Sequence, residues 1–252
     1  LDRILSQYPP ATQPGGILGL AFPANACNPT CQPTILDSLV DQGKLAVEDN
    51  LFGMCLTKKN GGVLDLGFSD EQKYSGELQY TSVVKQHWYN IGVQAMLVDN
   101  ATLNVPAFYF DITNDVIGSF VDSGTSVVLV SPYAFGELSA HLQANFPHLQ
   151  QYLTPLLGGQ CVTITDSSVI AQFPKISFMV DGLNATTDAP FPVSMTGDDY
   201  LLESGPNTYC FGIAGVPGVG LIMGDVIMQN YYIEFDRYNS RLGFAPIKKC
   251  TV

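Results

Sequence analysis

From position 120 the chain reads Phe120-Val121-Asp122-Ser123-Gly124-Thr125-Ser126. Apolar residues lead up to a carboxylate, and Gly124 lets the backbone turn tightly beside it. Ser123, Thr125 and Ser126 supply hydroxyls that can hydrogen-bond that carboxylate. An Asp held by backbone N–H groups and hydroxyls between buried strands is shielded and oriented, which prepares a carboxyl for general acid/base work. Taken alone, these residues fit an Asx-type turn between strands better than a catalytic loop. The surroundings have to choose.

Working outward, strand-like runs dominate: Asn50–Leu56, Gly61–Gly67, Thr81–Val84, Trp88–Val98, Ala107–Phe110, Ile117–Val121, Ser126–Val130, Ile176–Val180 and Tyr231–Phe235. They are rich in β-branched and aromatic residues and bounded by Gly, Pro, Asn or Asp. Helices are expected over Pro33–Gln42, stopped by Gly43, and over Pro132–Leu142, capped by Ser131. A third, shorter one is expected to start at Asp225. The fold class is therefore mostly β. The 252 residues are 46% hydrophobic and 13% charged, with 24 Gly and 16 Pro, which excludes disorder and long coiled coils. That length makes one large β unit or two modest domains.

With 23 acidic and 11 basic residues the formal charge is −12, and no Lys/Arg cluster exists to neutralise phosphates, so nucleic acid is not an expected partner. The longest apolar stretches are interrupted by Asp, Gly or Ser short of a bilayer span, so no membrane segment is expected. No signal peptide opens the chain, which reads as mature, processed or truncated material. The six cysteines are Cys27, Cys31, Cys55, Cys161, Cys210 and Cys250. They form no CxxC pair and lie mostly far from the three histidines, so neither a zinc site nor any other metal or cofactor is expected. Asn100-Ala-Thr and Asn184-Ala-Thr are glycosylation sequons, whereas Asn28-Pro-Thr is blocked by its proline. Even cysteines, sequons and acidity together favour the secretory pathway, with a secreted or lysosomal/vacuolar destination.

In this context the sequence resembles the pepsin-like aspartic proteases, in order along nearly the whole chain. The family's Asp-Thr/Ser-Gly-Thr/Ser loop matches Asp122–Thr125. Its apolar-apolar-Gly segments, threaded beside each catalytic Asp, match Ile17-Leu18-Gly19 and Ile222-Met223-Gly224. Gly224 to Pro246 is similar to the family's closing segment almost residue for residue, and the aromatic pair Trp88-Tyr89 also falls in family order. Gly15 stands where many members carry Asp, and Ser123 replaces the commoner Thr. The Val-Asp-Ser-Gly-Thr wording and the cysteines are most similar to the β-secretase-like branch. That likeness implies bridges Cys55–Cys250 and Cys161–Cys210, leaving Cys27–Cys31 as a local loop; spacing alone allows fifteen pairings.

The resemblance implies a bilobal acid protease fold with a complete C-terminal lobe, residues 79–252. Residues 1–78 would be the second half of the N-terminal lobe, its first half on a separate chain. It implies catalysis by Asp122, support of that carboxyl by the turn residues Ser123, Gly124, Thr125 and Ser126, and substrate contacts from Ile17, Trp88, Tyr89 and Ile222. Core packing remains an equal reading for those last four. The family works with two aspartates that share one proton, because two like charges so close cannot both ionise. This chain carries one Asp-Ser/Thr-Gly, so the first catalytic Asp and the flap should lie N-terminal to Leu1, on about a hundred absent residues, a small domain's worth.

Three readings follow. The chain is the larger part of a two-chain protease nicked in its N-terminal lobe, the Arg3–Gln13 stretch with its prolines being a surface loop suited to cutting. It is instead a catalytically inactive binding protein of the same fold. Or two copies pair, each donating Asp122, although half a spare lobe per chain would clash. Asp65-Leu-Gly, Glu203-Ser-Gly and the pair Asp198-Asp199 read as surface turns or solvated loop.

Overall fold

The computed structural model describes residues 16–27, 29–58 and 61–250. The Arg3–Gln13 loop, Gly15 and Asn28 lie outside the described residues. Strands β1 (Leu51–Leu56), β2 (Gly62–Leu66), β3 (Gln79–Ser82), β4 (Asn90–Ile91), β5 (Val93–Val98), β6 (Ala101–Thr102), β7 (Ser119–Val121) and β8 (Val128–Val130) come first. After them run β9 (Val162–Thr163), β10 (Ile176–Val180), β11 (Phe191–Met195), β12 (Leu201–Gly205), β13 (Thr208–Phe211), β14 (Ile213–Gly215), β15 (Leu221–Met223), β16 (Tyr231–Asp236) and β17 (Arg241–Pro246). The α-helices are α1 (Ile35–Asp41), α2 (Pro132–Asn145), α3 (Gln150–Leu157), α4 (Gly197–Tyr200) and α5 (Asp225–Met228).

The strands form four sheets, ordered β2-β1-β16-β17-β3, β11-β10-β5-β6, β12-β13-β9 and β14-β8-β15-β7-β4. The first draws β1 and β2 from residues 1–78 and the other three strands from 79–252, so one hydrogen-bonded ladder spans the expected division. Its two faces differ. On one, Phe235, Phe52 and Leu66 lie in register, beside a row of Ile233, Met54 and Leu64. On the other, Asp65 and Glu234 flank Gly53; Asp65 pairs with Lys73 at 2.7 Å, and the Tyr232 hydroxyl donates to Asp65 at 3.0 Å. Asp65 is thus a buried strand residue with a cation, not part of a surface turn. A strand places alternate side chains on opposite faces, and Lys73 offsets the desolvation of this carboxylate.

Several expectations are redrawn. Trp88–Val98 breaks into β4 and β5 at Gly92, where a Cβ would sit 1.9 Å from Asp181 Oδ2. Ala107–Phe110 is a 3-10 turn over Ala107–Tyr109 that follows Pro106, not a strand. The first helix starts at Ile35 because Thr34 and Asp37 form a capping box, which fixes the start two residues beyond Pro33. Ser131 caps α2 as expected, accepting from Ala134 N. Asp199 caps α4 at Thr196 and pairs with Lys58 at 2.7 Å, so Asp198-Asp199 is not free loop. All three disulfides pair as the resemblance implied: Cys27–Cys31, Cys55–Cys250 and Cys161–Cys210.

Candidate active site

β7 delivers Val121 to the turn at Asp122, and β8 leaves that turn from Val128. β15 runs between them, parallel to β7 and antiparallel to β8, with Met223 opposite both Val121 and Val128. The Asp122 amide donates to Met223 O at 3.1 Å. Where β15 exits through the loop, a Cβ on Gly224 would lie 2.2 Å from Thr125 O and 2.3 Å from Val127 O. Only glycine passes there. The next amide, of Asp225, donates to Thr125 O at 2.8 Å and closes the crossing.

These strands fix the Asp122 carboxyl. Its Oδ1 accepts from the Gly124 amide at 3.0 Å, and its Oδ2 accepts from the Thr125 hydroxyl at 2.6 Å. Two donors on different oxygens set the plane of the group. Asp122 is half-buried, while Ser123 and Ser126 are exposed at the rim of the turn. The Ser126 carbonyl accepts from the Val226 amide at 3.3 Å, so that residue supports the turn through its backbone. Asp225 stands close enough that burial, and then the charge of Asp122, push its carboxyl above the ordinary range.

In front of Asp122 opens a cavity of about 310 Å³. Ile17, Leu18, Trp88, Phe120, Phe52, Met54 and Phe235 supply much of its lining, and Tyr89 reaches its edge. Trp88 stacks on Phe120 with ring centroids 5.6 Å apart. Tyr89 is only 4% exposed, donates its hydroxyl to Leu20 O at 2.6 Å and packs on Phe22, so it backs the wall more than it forms the surface. Its burial pushes its phenol upward. Ile222 lies behind the wall, packed with Phe120 and Val219 against Trp88, and is absent from the cavity lining. The structure thus brings Asp122, Ile17, Trp88 and Tyr89 together around one space and places Ile222 behind it. The backing residues Phe52, Met54 and Phe235 escaped the sequence reading because their position depends on strand register, which no local pattern encodes. Asp225 follows Gly224 directly, and that adjacency was the available signal.

Ile17-Leu18-Gly19, matched to the other threaded segment, pairs with no strand among the described residues. Ile17 is 72% and Leu18 56% exposed. The sequon residues Asn100 and Asn184 are both exposed, Asn100 in the turn between β5 and β6. Among the described residues no group of three His, Cys, Asp or Glu side chains is arranged to hold a metal ion, and no helix is long and apolar enough to cross a membrane.

Comparison with known proteins points the same way. A family model described as eukaryotic aspartyl protease matches residues 6–247. Cathepsin D of Clupea harengus is 30% identical over 242 residues, covering 91% of this chain and 53% of that protein. Cathepsin E of Aquarana catesbeiana is 30% identical over 243 residues, covering 92% and 53% respectively. Penicillopepsin-1 of Penicillium janthinellum is 28% identical over 251 residues, covering 97% and 67%. The chain therefore spans about half the length of the cathepsins it matches. A family match that takes in the threaded turn, the cavity walls and the closing hairpin leaves almost none of the described fold outside it, and the chain belongs to the eukaryotic aspartyl proteases.

Proposed function

We propose that this chain is one part of an aspartic endopeptidase, contributing Asp122 to a carboxyl pair whose other member comes from an N-terminal segment of the same precursor. In this reading residues 1–78 are the second half of one lobe and 79–252 form the other. The observation that carries it is the apolar sheet face continuous with the cavity. Phe52 and Phe235 are buried there, yet Leu66 in the same row is 38% exposed and Leu64 beside it 36%. Ile17 and Leu18, which line the same cavity as Asp122, are exposed as well. A contiguous apolar surface of this kind calls for a covering partner. In this reading the segment seated there brings the second carboxyl to the cavity that Asp122 lines.

The chemistry follows from two carboxyls sharing one proton. The ionised one takes a proton from a water held between them, and the resulting hydroxide adds to the peptide carbonyl carbon. The protonated one hydrogen-bonds the carbonyl oxygen and stabilises the charge that develops there. Proton transfer to the nitrogen then releases the amine and leaves a carboxylic acid. Thr125 and Gly124 keep Asp122 in plane for both steps. The Trp88–Phe120 wall with Ile17 and Leu18 favours peptides carrying large apolar side chains beside the scissile bond. Three disulfides and two exposed sequons support passage through the secretory pathway to a secreted or lysosomal/vacuolar site.

Hydrolysis of a quenched apolar peptide, with this chain alone and after co-refolding with an N-terminal segment bearing its own Asp-Thr/Ser-Gly, tests the proposal. Turnover only in the mixture is expected. Turnover by the chain alone contradicts the pairing, and inactivity of a folded mixture favours a binding protein of the same fold.

A further inference from the structure

Three contacts from one short segment converge on the two residues that flank Trp88. The Asn25 side-chain amide donates to His87 O, immediately before the indole. Immediately after it, the Tyr89 hydroxyl donates to Leu20 O, and the Tyr89 ring packs on Phe22 at 4.7 Å. Tyr89 has φ of 57°, a left-handed conformation that a bulky side chain adopts only when its surroundings hold it there. Trp88 directly precedes this turn and lies across Phe120 at the cavity, and the Tyr89 side chain is held by Leu20 O together with the Phe22, Phe52 and Phe235 rings.

The segment is itself built to present Asn25. A 3-10 turn over Pro23–Asn25 is closed by Asn25 N to Phe22 O at 2.9 Å and Ala26 N to Pro23 O at 2.8 Å. Directly after it, Cys27 and Cys31 are bridged, and Gln32 N donates to Ala26 O at 3.0 Å across the base of that loop. Both cysteines and Asn25 are exposed, so none of them is there to fill a core.

Resting on the reading of the cavity as a peptide site, we propose that residues 20–27 form a clamp that sets substrate specificity: Asn25, braced by the Cys27–Cys31 disulfide, is a positioning residue that holds Trp88 as a fixed wall beside Asp122. Asn25 touches neither the cavity nor Asp122 and acts only through the His87 carbonyl. The clamp governs binding of the apolar side chain that rests on the indole, not proton transfer.

Trp88 is the chain's one tryptophan, so its emission reports the wall directly, whether or not the chain is catalytic. Asn25→Asp removes the donor at constant shape, Asn25→Ala removes the side chain, and a Cys27→Ser/Cys31→Ser double variant removes the brace. Acrylamide quenching of the chain's fluorescence should rise by roughly twofold in each. In the complemented enzyme, KM for a substrate with a bulky apolar residue should rise roughly 2- to 10-fold, the range one net hydrogen bond spans, with kcat unchanged. A substrate with alanine there should lose nothing. Unchanged quenching in both Asn25 variants overturns the clamp, as does a fall in kcat at constant KM. Failure of complementation leaves the quenching result to judge the clamp on its own.

Discussion

Asp122 owes its orientation to two donors, so the Thr125 hydroxyl is open to a single-atom test. Thr125→Val should lower kcat/KM of the complemented enzyme by about tenfold or more, the scale of a hydrogen bond to a charged group, while Thr125→Ser retains most of it. Gly224 is the other position where one atom matters. Gly224→Ala drives a methyl into two carbonyl oxygens and should cost at least about 1–3 kcal/mol in denaturant unfolding. Asp225 gives a pH signature. Its carboxyl is raised by burial and by Asp122, so its ionised form costs stability above the raised value and nothing once both states are protonated. Asp225→Asn should therefore be more stable than the parent near neutral pH, with the gain vanishing below about pH 4. The Asp-Ser-Gly-Thr turn was legible because its chemistry is local. The neighbourhood of Asp225 was not, since it arises only where β15 crosses the loop.

The C-terminal hairpin, β16 and β17, locks the early segment through Arg237. Its guanidinium pairs with Asp37 of α1 at 2.8 Å, donates to Thr34 and Asn50, and lies 5.2 Å over the Phe22 ring. Burial opposes ionisation of Asp37, yet hydrogen bonds from Thr34 and the pairing with Arg237 outweigh it and hold the carboxyl below its ordinary value. The stability this contributes is present above the unfolded value of about 3.9 and fades as pH falls through the lowered one. Arg237→Met should cost roughly 3 kcal/mol at pH 6, read by urea unfolding, and progressively less in strong acid. Helices α1 and α2 were legible from apolar spacing and caps. β11 was missed because Pro192 argues against a strand; it is tolerated there because β11 is the edge of its sheet. The α3 helix was hidden in the same way by Pro155.

Among the described residues a large packed core continues into an exposed apolar surface that includes Leu64 and Leu66 beside the cavity-lining Ile17 and Leu18. No reading of β2 by itself could show this, because Leu64 and Leu66 look like ordinary strand residues until their register with Met54 and Phe52 is known. The isolated chain should bind a hydrophobic dye and self-associate in a concentration-dependent way by sedimentation, and the N-terminal segment should suppress both. The most direct test of the proposed chemistry is peptide hydrolysis by the complemented enzyme carrying Asp122→Asn. The substitution keeps shape and removes one carboxyl, so activity should fall by about 100- to 10,000-fold or more, with the thermal transition preserved. Turnover within a few-fold of the parent, in a variant that folds and binds its partner segment, would contradict the assignment of Asp122.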